Sequence, residues 1–366
     1  MREGEGSKKK REKENSSTTP SSPLTSLCFN DDIQGTGAVV CAGFLNGMRA
    51  RGTPLSEARV AFFGAGSSAV GVAETIAAAV AADTGESVAQ ARGRIYLIDS
   101  KGLVTATRGD TLPAHKQGLA RTDGTPDMAG LVDIISAVRP HALIGLSGVG
   151  GAFTRDALTA LAAVTPRPLV MPCSNPTSCA ECEPGDVYAA CGPGALVATG
   201  SPFDAVTLPD GTTKAPVQAN NCHVFPGVGL GAVLSRASRV SDGMLLAAAR
   251  AVAAAVPQSD LDAGILYPPV AAMRATSLRV AVAVAAAAWD EGVATARWVE
   301  RGGGAAERGA RGRRPPTRHP PPVSSLGAPP CSCATWPIAC TGRAAWWRRR
   351  GRAWWRRWKG RWARRE

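Results

Sequence analysis

The chain has 366 residues, 45% of them hydrophobic, which suits one large domain or two ordinary domains. Its net charge of +13 comes from residues 297–366, which contain 18 basic and 3 acidic residues. Residues 1–296 contain 24 basic and 26 acidic residues. The positive net charge therefore says nothing about the binding partners of residues 1–296. No apolar run is long and uniform enough to predict a membrane span, and the Ala-rich run at 280–289 predicts a packed helix.

Residues 1–28 are polar, charged and rich in Pro and Ser. They lack the apolar segment of a secretory signal, and their acidic residues are atypical of an organellar transit peptide. We expect residues 1–28 to be disordered and the protein to be intracellular, in the cytoplasm or an organelle, rather than secreted.

The stretch FNDDIQGTG at residues 29–37 carries two adjacent carboxylates, Asp31 and Asp32, before an apolar run of helical spacing at 35–51. One aspartate here is typical of a helix N-cap. A second is not needed for capping, and two close carboxylates repel unless a cation or a shared proton compensates. Because hard oxygen ligands suit Mg²⁺ or Mn²⁺, the pair predicts either a cap or part of a divalent-metal site.

The next segment has the order strand, glycine turn, helix. Val60–Phe63 is a short apolar strand, and residues 69–82 form helices strongly. Between them lies the motif G-x-G-x-x-A, formed by Gly64, Ala65, Gly66, Ser67, Ser68 and Ala69. In this context Gly64 allows a tight turn, Gly66 lets the backbone approach a pyrophosphate, and Ala69 lets the helix pack on the sheet. The helix N-terminus then faces the phosphates.

A second strand, RIYLIDS, ends at Asp99. An acidic residue at this position normally accepts hydrogen bonds from the adenosine ribose. It lies farther from the glycines than the usual ~20 residues, which a longer helix and loop at 82–94 explain. Strand, glycine turn, helix and Asp99 together predict a dinucleotide-binding unit.

Strands and helices continue to alternate over residues 128–256, which predicts an α/β fold with a doubly wound, Rossmann-like parallel sheet. Ligands bind such sheets beyond the carboxyl ends of the strands. Polar turns follow the predicted strands at 148–151, 174–176, 200–201 and 220–221. Each turn alone is explained by turn chemistry, but several on one rim beside a dinucleotide motif indicate a site.

Residues 297–366 hold eight of the nine Trp and show no period that would bury one face. We expect disorder there, with three interpretations: a strip that binds nucleic acid, a segment on an anionic membrane surface, or out-of-frame or read-through coding, which we favour. We therefore expect neither a membrane nor a nucleic acid as partner. The C-x-x-C at Cys179 and Cys182 predicts free thiols, with a redox or metal role as the alternative.

Eight stretches, in unbroken order, resemble the nicotinamide-binding domain of the malic enzymes: FNDDIQGTG, FFGAGSSAVGVA, IDSKGLV, ALIGLSGVGGAF, SNPTS-AEC, ATGSPFDAVTLPDG, NNCHVFPGVGLG and GILYPPV. The resemblance covers residues 29–296 and leaves 1–28 and 297–366 unmatched. Malic enzymes oxidise (S)-malate with a nicotinamide cofactor and a divalent metal, forming oxaloacetate and then pyruvate and CO₂. The resemblance implies an oxidoreductase of this kind, and a homo-oligomer as in the intact family.

The resemblance also implies roles for single residues. Asp32 would bind Mg²⁺ or Mn²⁺, which would polarise the C2 oxygen and stabilise the enolate, and Asp31 would support the catalytic lysine. Asn175 and Asn220 match the malate-binding asparagines, and Asn221 is adjacent.

Cofactor choice depends on three residues that follow the second strand. NADP-using members of the family are similar to this sequence at Ser100 and Lys101, after Asp99, and at Lys116. A cation at that place suits the 2′-phosphate of NADP. We expect NADP, with NAD as the alternative if both lysines are ordinary loop residues.

The family's N-terminal domain carries a catalytic tyrosine, the catalytic lysine, a substrate arginine and two further metal ligands, and none of these has a counterpart in this sequence. We therefore expect a truncated or wrongly assembled malic enzyme that is inactive alone. Two other classes stay open: a non-catalytic module that binds NADP or pairs with an intact subunit, and a nucleic-acid or membrane binder that acts through residues 297–366.

Overall fold

The computed structural model describes residues 27–296. Its strands are β1 (Val60–Phe63), β2 (Ile95–Asp99), β3 (Gly102–Leu103), β4 (Ala142–Gly145), β5 (Leu169–Pro172), β6 (Leu196–Thr199), β7 (Val206–Thr207), β8 (Thr213–Lys214) and β9 (Val217–Gln218). Its α-helices are α1 (Thr36–Arg51), α2 (Ser67–Thr84), α3 (Val88–Arg92), α4 (Ala114–Gln117), α5 (Leu131–Val138), α6 (Arg155–Val164), α7 (Pro184–Cys191), α8 (Phe225–Ser235), α9 (Asp242–Ala253), α10 (Gln258–Asp262) and α11 (Met273–Asp290). The unmatched segments 1–28 and 297–366 lie outside the described residues, apart from Leu27 and Cys28.

The main sheet has seven strands in the order β3-β2-β1-β4-β5-β6-β9. Its strands run parallel except β3, which pairs antiparallel with β2 at one edge. The strand order reverses between β1 and β4, so the loops after these two strands diverge and open a crevice beyond their carboxyl ends. The predicted doubly wound parallel sheet is confirmed. The antiparallel edge strand was not anticipated, because two residues are too few to show an alternating pattern.

Both faces of the sheet are buried, which explains why its strands are continuous apolar runs. Val60 and Phe62 enter a core that α1, α2, α8, α9 and α11 cover. Ala61 faces the opposite core, which α5, α6 and α7 cover. Because helices cover both faces of the sheet, a site can form only where loops meet at the two ends of the strands.

Local sequence determined most helix ends. The predicted helix at 69–82 is confirmed as α2. The predicted helical region at 224–256 contains two helices, because Arg236 ends α8 in the left-handed conformation and the Ser241 side chain caps the N-terminus of α9.

The Ala-rich run lies in α11. With the turn before it, Val270–Asp290 is the one segment among the described helices that is long and apolar enough to span a membrane by length and composition. Its residues Val280 and Val284 are buried in the core shared with α8 and α9. The run therefore forms a helix with one packed face.

Candidate functional site

The glycine turn after β1 lines the crevice. Gly64 has a φ of +116°, and a Cβ there would lie 2.5 Å from the Leu146 carbonyl oxygen, because the loops after β1 and β4 touch at this point. A Cβ at Gly66 would meet no atom within 4 Å. The fold therefore requires Gly64, whereas Gly66 leaves open space over the start of α2.

The N-terminus of α2 faces that space. Gly66 is its N-cap and supplies no side-chain hydrogen bond to the first backbone N–H groups, which suits them to an anion. Ser67 is exposed there, and Ala69 is fully buried against the sheet, as predicted. The first turn thus has the geometry of a pyrophosphate cradle.

A cationic cluster stands at the carboxyl end of β2. The Arg108 guanidinium donates two hydrogen bonds, of 3.0 and 2.9 Å, to the two oxygens of the Asp99 carboxylate. Lys116 Nζ donates to Asp99 Oδ2 at 2.8 Å. Burial opposes ionisation of Asp99, but these hydrogen bonds and the Lys101 backbone N–H outweigh it and hold the pKa of the carboxyl well below its usual range. Three cations, Arg108, Lys116 and the exposed Lys101, outnumber the two nearby carboxylates, Asp99 and Asp127, and Ser100 is exposed beside them.

The segment with the two aspartates forms a single π-helical turn, Asp31–Gly35, before α1. Its cap is Asn30, whose Oδ1 accepts from the Ile33 N–H at 3.2 Å, so neither aspartate serves as the cap. Asp31 Oδ2 accepts from Asn221 Nδ2 at 3.0 Å, and its buried Oδ1 has no hydrogen-bond partner among the described residues. Asp32 is exposed.

The Asp31–Gly35 turn lies against the nucleotide cradle. Ser68 Oγ donates to the Asp32 carbonyl oxygen at 3.2 Å. The Ile33 side chain also contacts α2, since a Cβ at Gly71 would lie 2.7 Å from Ile33 Cγ2. The two aspartates predicted for metal and catalysis are therefore brought to the first turns of the predicted cofactor helix.

The described residues do not form a metal site by themselves. Within 27–296, no group of three or more His, Cys, Asp or Glu side chains converges to hold an ion. Asp31 is engaged by Asn221 while its neighbour Asp32 is exposed, so the two carboxylates are in different surroundings. A divalent ion needs several oxygen ligands at once, which this pair does not supply.

Comparison with known proteins decides the family. Residues 33–289 match the family model described as the malic enzyme, NAD binding domain. The chain belongs to the malic enzyme family. The resemblance stated from the motifs is therefore confirmed.

Curated relatives named NADP-dependent malic enzyme are similar to this chain. The protein from Dictyostelium discoideum is 41% identical over 268 residues, covering 73% of this chain and 49% of the relative. The protein from Vitis vinifera is 42% identical over 271 residues, covering 74% and 45%. This chain thus spans about half the length of the curated relatives it matches.

Solved malic enzyme structures share the fold. The Entamoeba histolytica enzyme superposes with a TM-score of 0.61 at 26% identity, covering 75% of this chain and 51% of that one. The Pyrococcus horikoshii enzyme gives 0.59 at 27% identity, covering 74% and 57%.

Of the three candidate malate-binding asparagines, Asn221 alone hydrogen-bonds to one of the aspartates within residues 27–296. Asn221 Nδ2 donates to Asp31 and also to Thr36 Oγ1 at 3.2 Å. Asn220 Oδ1 accepts from the Cys222 N–H at 2.9 Å, which is turn chemistry. Asn175 is exposed, and its Oδ1 accepts from Ser201 Oγ at 2.6 Å.

Two residues of the crevice were missed from the sequence. Arg108 lies nine positions after Asp99 in a turn, a spacing with no regular period, so only the fold reveals the pair. Glu181 is fully buried, and its Oε1 accepts from the hydroxyls of Ser147 at 2.8 Å and Ser174 at 2.6 Å. It ties the loop after β4 to the loop after β5, and its only sequence signal was its place in a family motif.

The two cysteines of the C-x-x-C are free thiols. Cys182 is buried, and burial raises the pKa of its thiol, which suits a packing role and not a reactive one.

Proposed function

We propose that this protein binds NADP in the crevice between the loops after β1 and β4, and contributes this nucleotide site to a malic enzyme. The reaction is the oxidation of (S)-malate by NADP⁺ to give pyruvate, CO₂ and NADPH. The observation that carries the proposal is the cationic cluster on Asp99, placed beside an open glycine turn at a helix N-terminus.

The state of Asp99 favours NADP over NAD. A carboxylate that recognises the ribose 2′-hydroxyl of NAD needs an oxygen free to accept its hydrogen bond. Here Arg108 and Lys116 already bind both carboxylate oxygens. The excess positive charge suits a 2′-phosphate, which accepts charge-assisted hydrogen bonds from such cations.

Calorimetric titration of the full chain with NADP and with NAD tests cofactor choice. Lys116→Gln is expected to weaken NADP binding by about 1–3 kcal/mol, the cost of a lost charge-assisted hydrogen bond, and to leave NAD nearly unchanged. Lys214→Gln, a change in the distant β8, is the matched control. Equal losses for both cofactors would show that Lys116 does not contact the phosphate.

The resemblance assigns Asp32 to a divalent metal, Mg²⁺ or Mn²⁺, whose Lewis acidity polarises the substrate oxygen. Residues 27–296 do not complete a site for that ion. Residues 27–296 position the aspartates. Asn221 donates a hydrogen bond to Asp31, and Ser68, in α2, donates one to the Asp31–Gly35 turn.

A second candidate is a non-catalytic module that binds NADP or pairs with an intact subunit, with (S)-malate bound elsewhere. It is favoured because, within residues 27–296, no group of three or more His, Cys, Asp or Glu side chains converges to hold an ion. Malate-dependent reduction of NADP by the purified chain with Mn²⁺ separates the two candidates: turnover supports the enzyme, and NADP binding without turnover supports the module.

A further inference from the structure

A surface cavity of about 530 Å³, wide open to solvent, lies at the amino ends of the strands, away from the crevice at their carboxyl ends. We call it the amino-edge cavity. Arg94, Arg59 and His141 are the residues immediately before β2, β1 and β4, three strands that are neighbours in the sheet. The topology therefore sets two guanidinium groups and an imidazole side by side. All three line the cavity, together with Gln90 and Glu57.

Arg59 carries hydrogen-bond donors that the fold does not use. Its Nε donates to the Arg139 carbonyl oxygen at 3.1 Å, and its two terminal nitrogens have no partner within residues 27–296. Arg167, before β5, is different, because all three of its side-chain nitrogens donate to backbone carbonyl groups. The Arg167 side chain links backbone segments of the fold. Arg59 lines the cavity and has two terminal nitrogens available as hydrogen-bond donors.

His141 presents a donor as well. Its Nδ1 accepts from the Arg59 backbone N–H at 3.0 Å, so the neutral ring carries its proton on Nε2. Burial, with Arg51 and Arg59 nearby, lowers the pKa of His141 to about 4. The ring is therefore neutral near pH 7, in a positive local field.

Two glutamates, Glu86 and Glu57, balance Arg94 and Arg59 in number, so the positive field is confined to the surroundings of His141, where Arg51 and Arg59 act. Glu86 pairs with Arg94 at 2.7 Å. Glu57 lines the cavity, and within the described part of the chain no ion pair joins it to Arg59. The side-chain oxygen of Gln90, Oε1, accepts hydrogen bonds from the Ser87 backbone N–H and hydroxyl group. The side-chain N–H₂ group of Gln90 is left as a further donor. Donors thus predominate in the lining.

We propose that this amino-edge cavity is a second binding site, which takes a small oxyanion, a phosphate or a carboxylate group, on Arg59 and His141. The two terminal nitrogens of Arg59 match two oxygens of such a group, and His141 Nε2–H donates to it. Glu57 limits affinity through repulsion of the anion.

The test follows the histidine resonances of the isotope-labelled full chain by NMR, at fixed ionic strength, during titration with inorganic phosphate and, separately, with succinate. We expect a saturable shift of the His141 resonance and a rise in the pKa of His141 at saturation. Arg59→Gln is expected to weaken binding at least tenfold, and Glu57→Gln to strengthen it several-fold. Arg279→Gln, at an exposed position of α11, is the matched control.

The outcomes discriminate. Saturation by phosphate alone identifies a phosphate site, and saturation by succinate alone a carboxylate site. His115, next to Lys116, reports in the same spectra on phosphate that enters the crevice, so the two sites are told apart. No saturable His141 response to either anion, or an unchanged response in Arg59→Gln, would overturn the proposal. If Arg59→Gln does not fold, an unchanged affinity in Glu57→Gln would do so.

Discussion

Gly64 and Gly66 lie two positions apart and meet opposite surroundings. Gly64→Ala is expected to destabilise the protein by about 2 kcal/mol or more, because a side chain at positive φ is strained and would collide with the loop after β4. Gly66→Ala should cost less than about 1 kcal/mol, since its Cβ meets open space. Urea denaturation of both variants measures the difference.

The same position tests the nucleotide cradle. Gly66→Val should fold and yet lose NADP binding in calorimetry, because its side chain would fill the space of the pyrophosphate. Normal NADP affinity in a folded Gly66→Val protein would place the cofactor elsewhere.

Glu181 is a buried carboxylate that no cation contacts among residues 27–296, and hydroxyl and N–H donors from Ser147 and Ser174 stabilise it. Glu181→Gln is expected to lower the free energy of unfolding by about 1–3 kcal/mol, because an amide N–H₂ would face other donors. Glu57→Gln, at an exposed position, should change it little. Equal stability of the two variants in urea would contradict a structural role for this network.

At the scale of elements, α8 and α11 approach closely through small residues. A Cβ at Gly231 would lie 2.7 Å from the Ala281 carbonyl oxygen and 2.8 Å from Val284 Cβ. Gly231→Ala is expected to destabilise by about 1–3 kcal/mol through overpacking.

Gly229, in the same helix, supplies the control. Its Cβ would meet nothing within 4 Å, so Gly229→Ala should stabilise by about 0.5–1 kcal/mol through helix propensity. Opposite signs in thermal or urea unfolding are the expected result. Stabilisation by both changes would mean that helix propensity, and not packing, governs both positions, and destabilisation by both would contradict the open surroundings of Gly229.

For the whole molecule, the buried His223 and the half-buried His141 predict a loss of stability in acid. Burial lowers the pKa of His223, whose Nδ1 has no partner in the described part of the chain, and burial with two arginines lowers that of His141 to about 4. Both rings stay neutral in the folded state, whereas the unfolded chain takes up protons below about pH 6.5. Stability therefore falls as pH drops below 6.5, and the His141 contribution is complete near pH 4.

Urea denaturation across this pH range checks that expectation. His141→Asn should flatten the acid-side slope, while His115→Asn, at an exposed position, should leave it unchanged. A slope that is the same in all three proteins would assign the acid sensitivity to other groups.

Local pattern was enough for the main elements and for a parallel, doubly wound sheet. Val60–Phe63, the helix that follows it and the strand that ends at Asp99 were predictable because apolar runs, glycine turns and helix formers act over a few residues. The position of Gly64, Gly66 and Ala69 at the turn from β1 into α2 follows from the same short-range order. The family was also evident from the sequence, since its motifs are long and keep their order.

Contacts between distant segments were decided only by the tertiary structure. Asn221 donates a hydrogen bond to Asp31, 190 positions away in the sequence. Asn30, and not an aspartate, caps the first turn. Arg108 binds the Asp99 carboxylate, which the sequence had assigned to a ribose. The amino-edge cavity likewise exists only because three strands are neighbours in the sheet. Hydrogen bonds and ion pairs depend on distances of about 3 Å, and the chain's covalent order does not specify such distances until the sheet has brought its strand ends together.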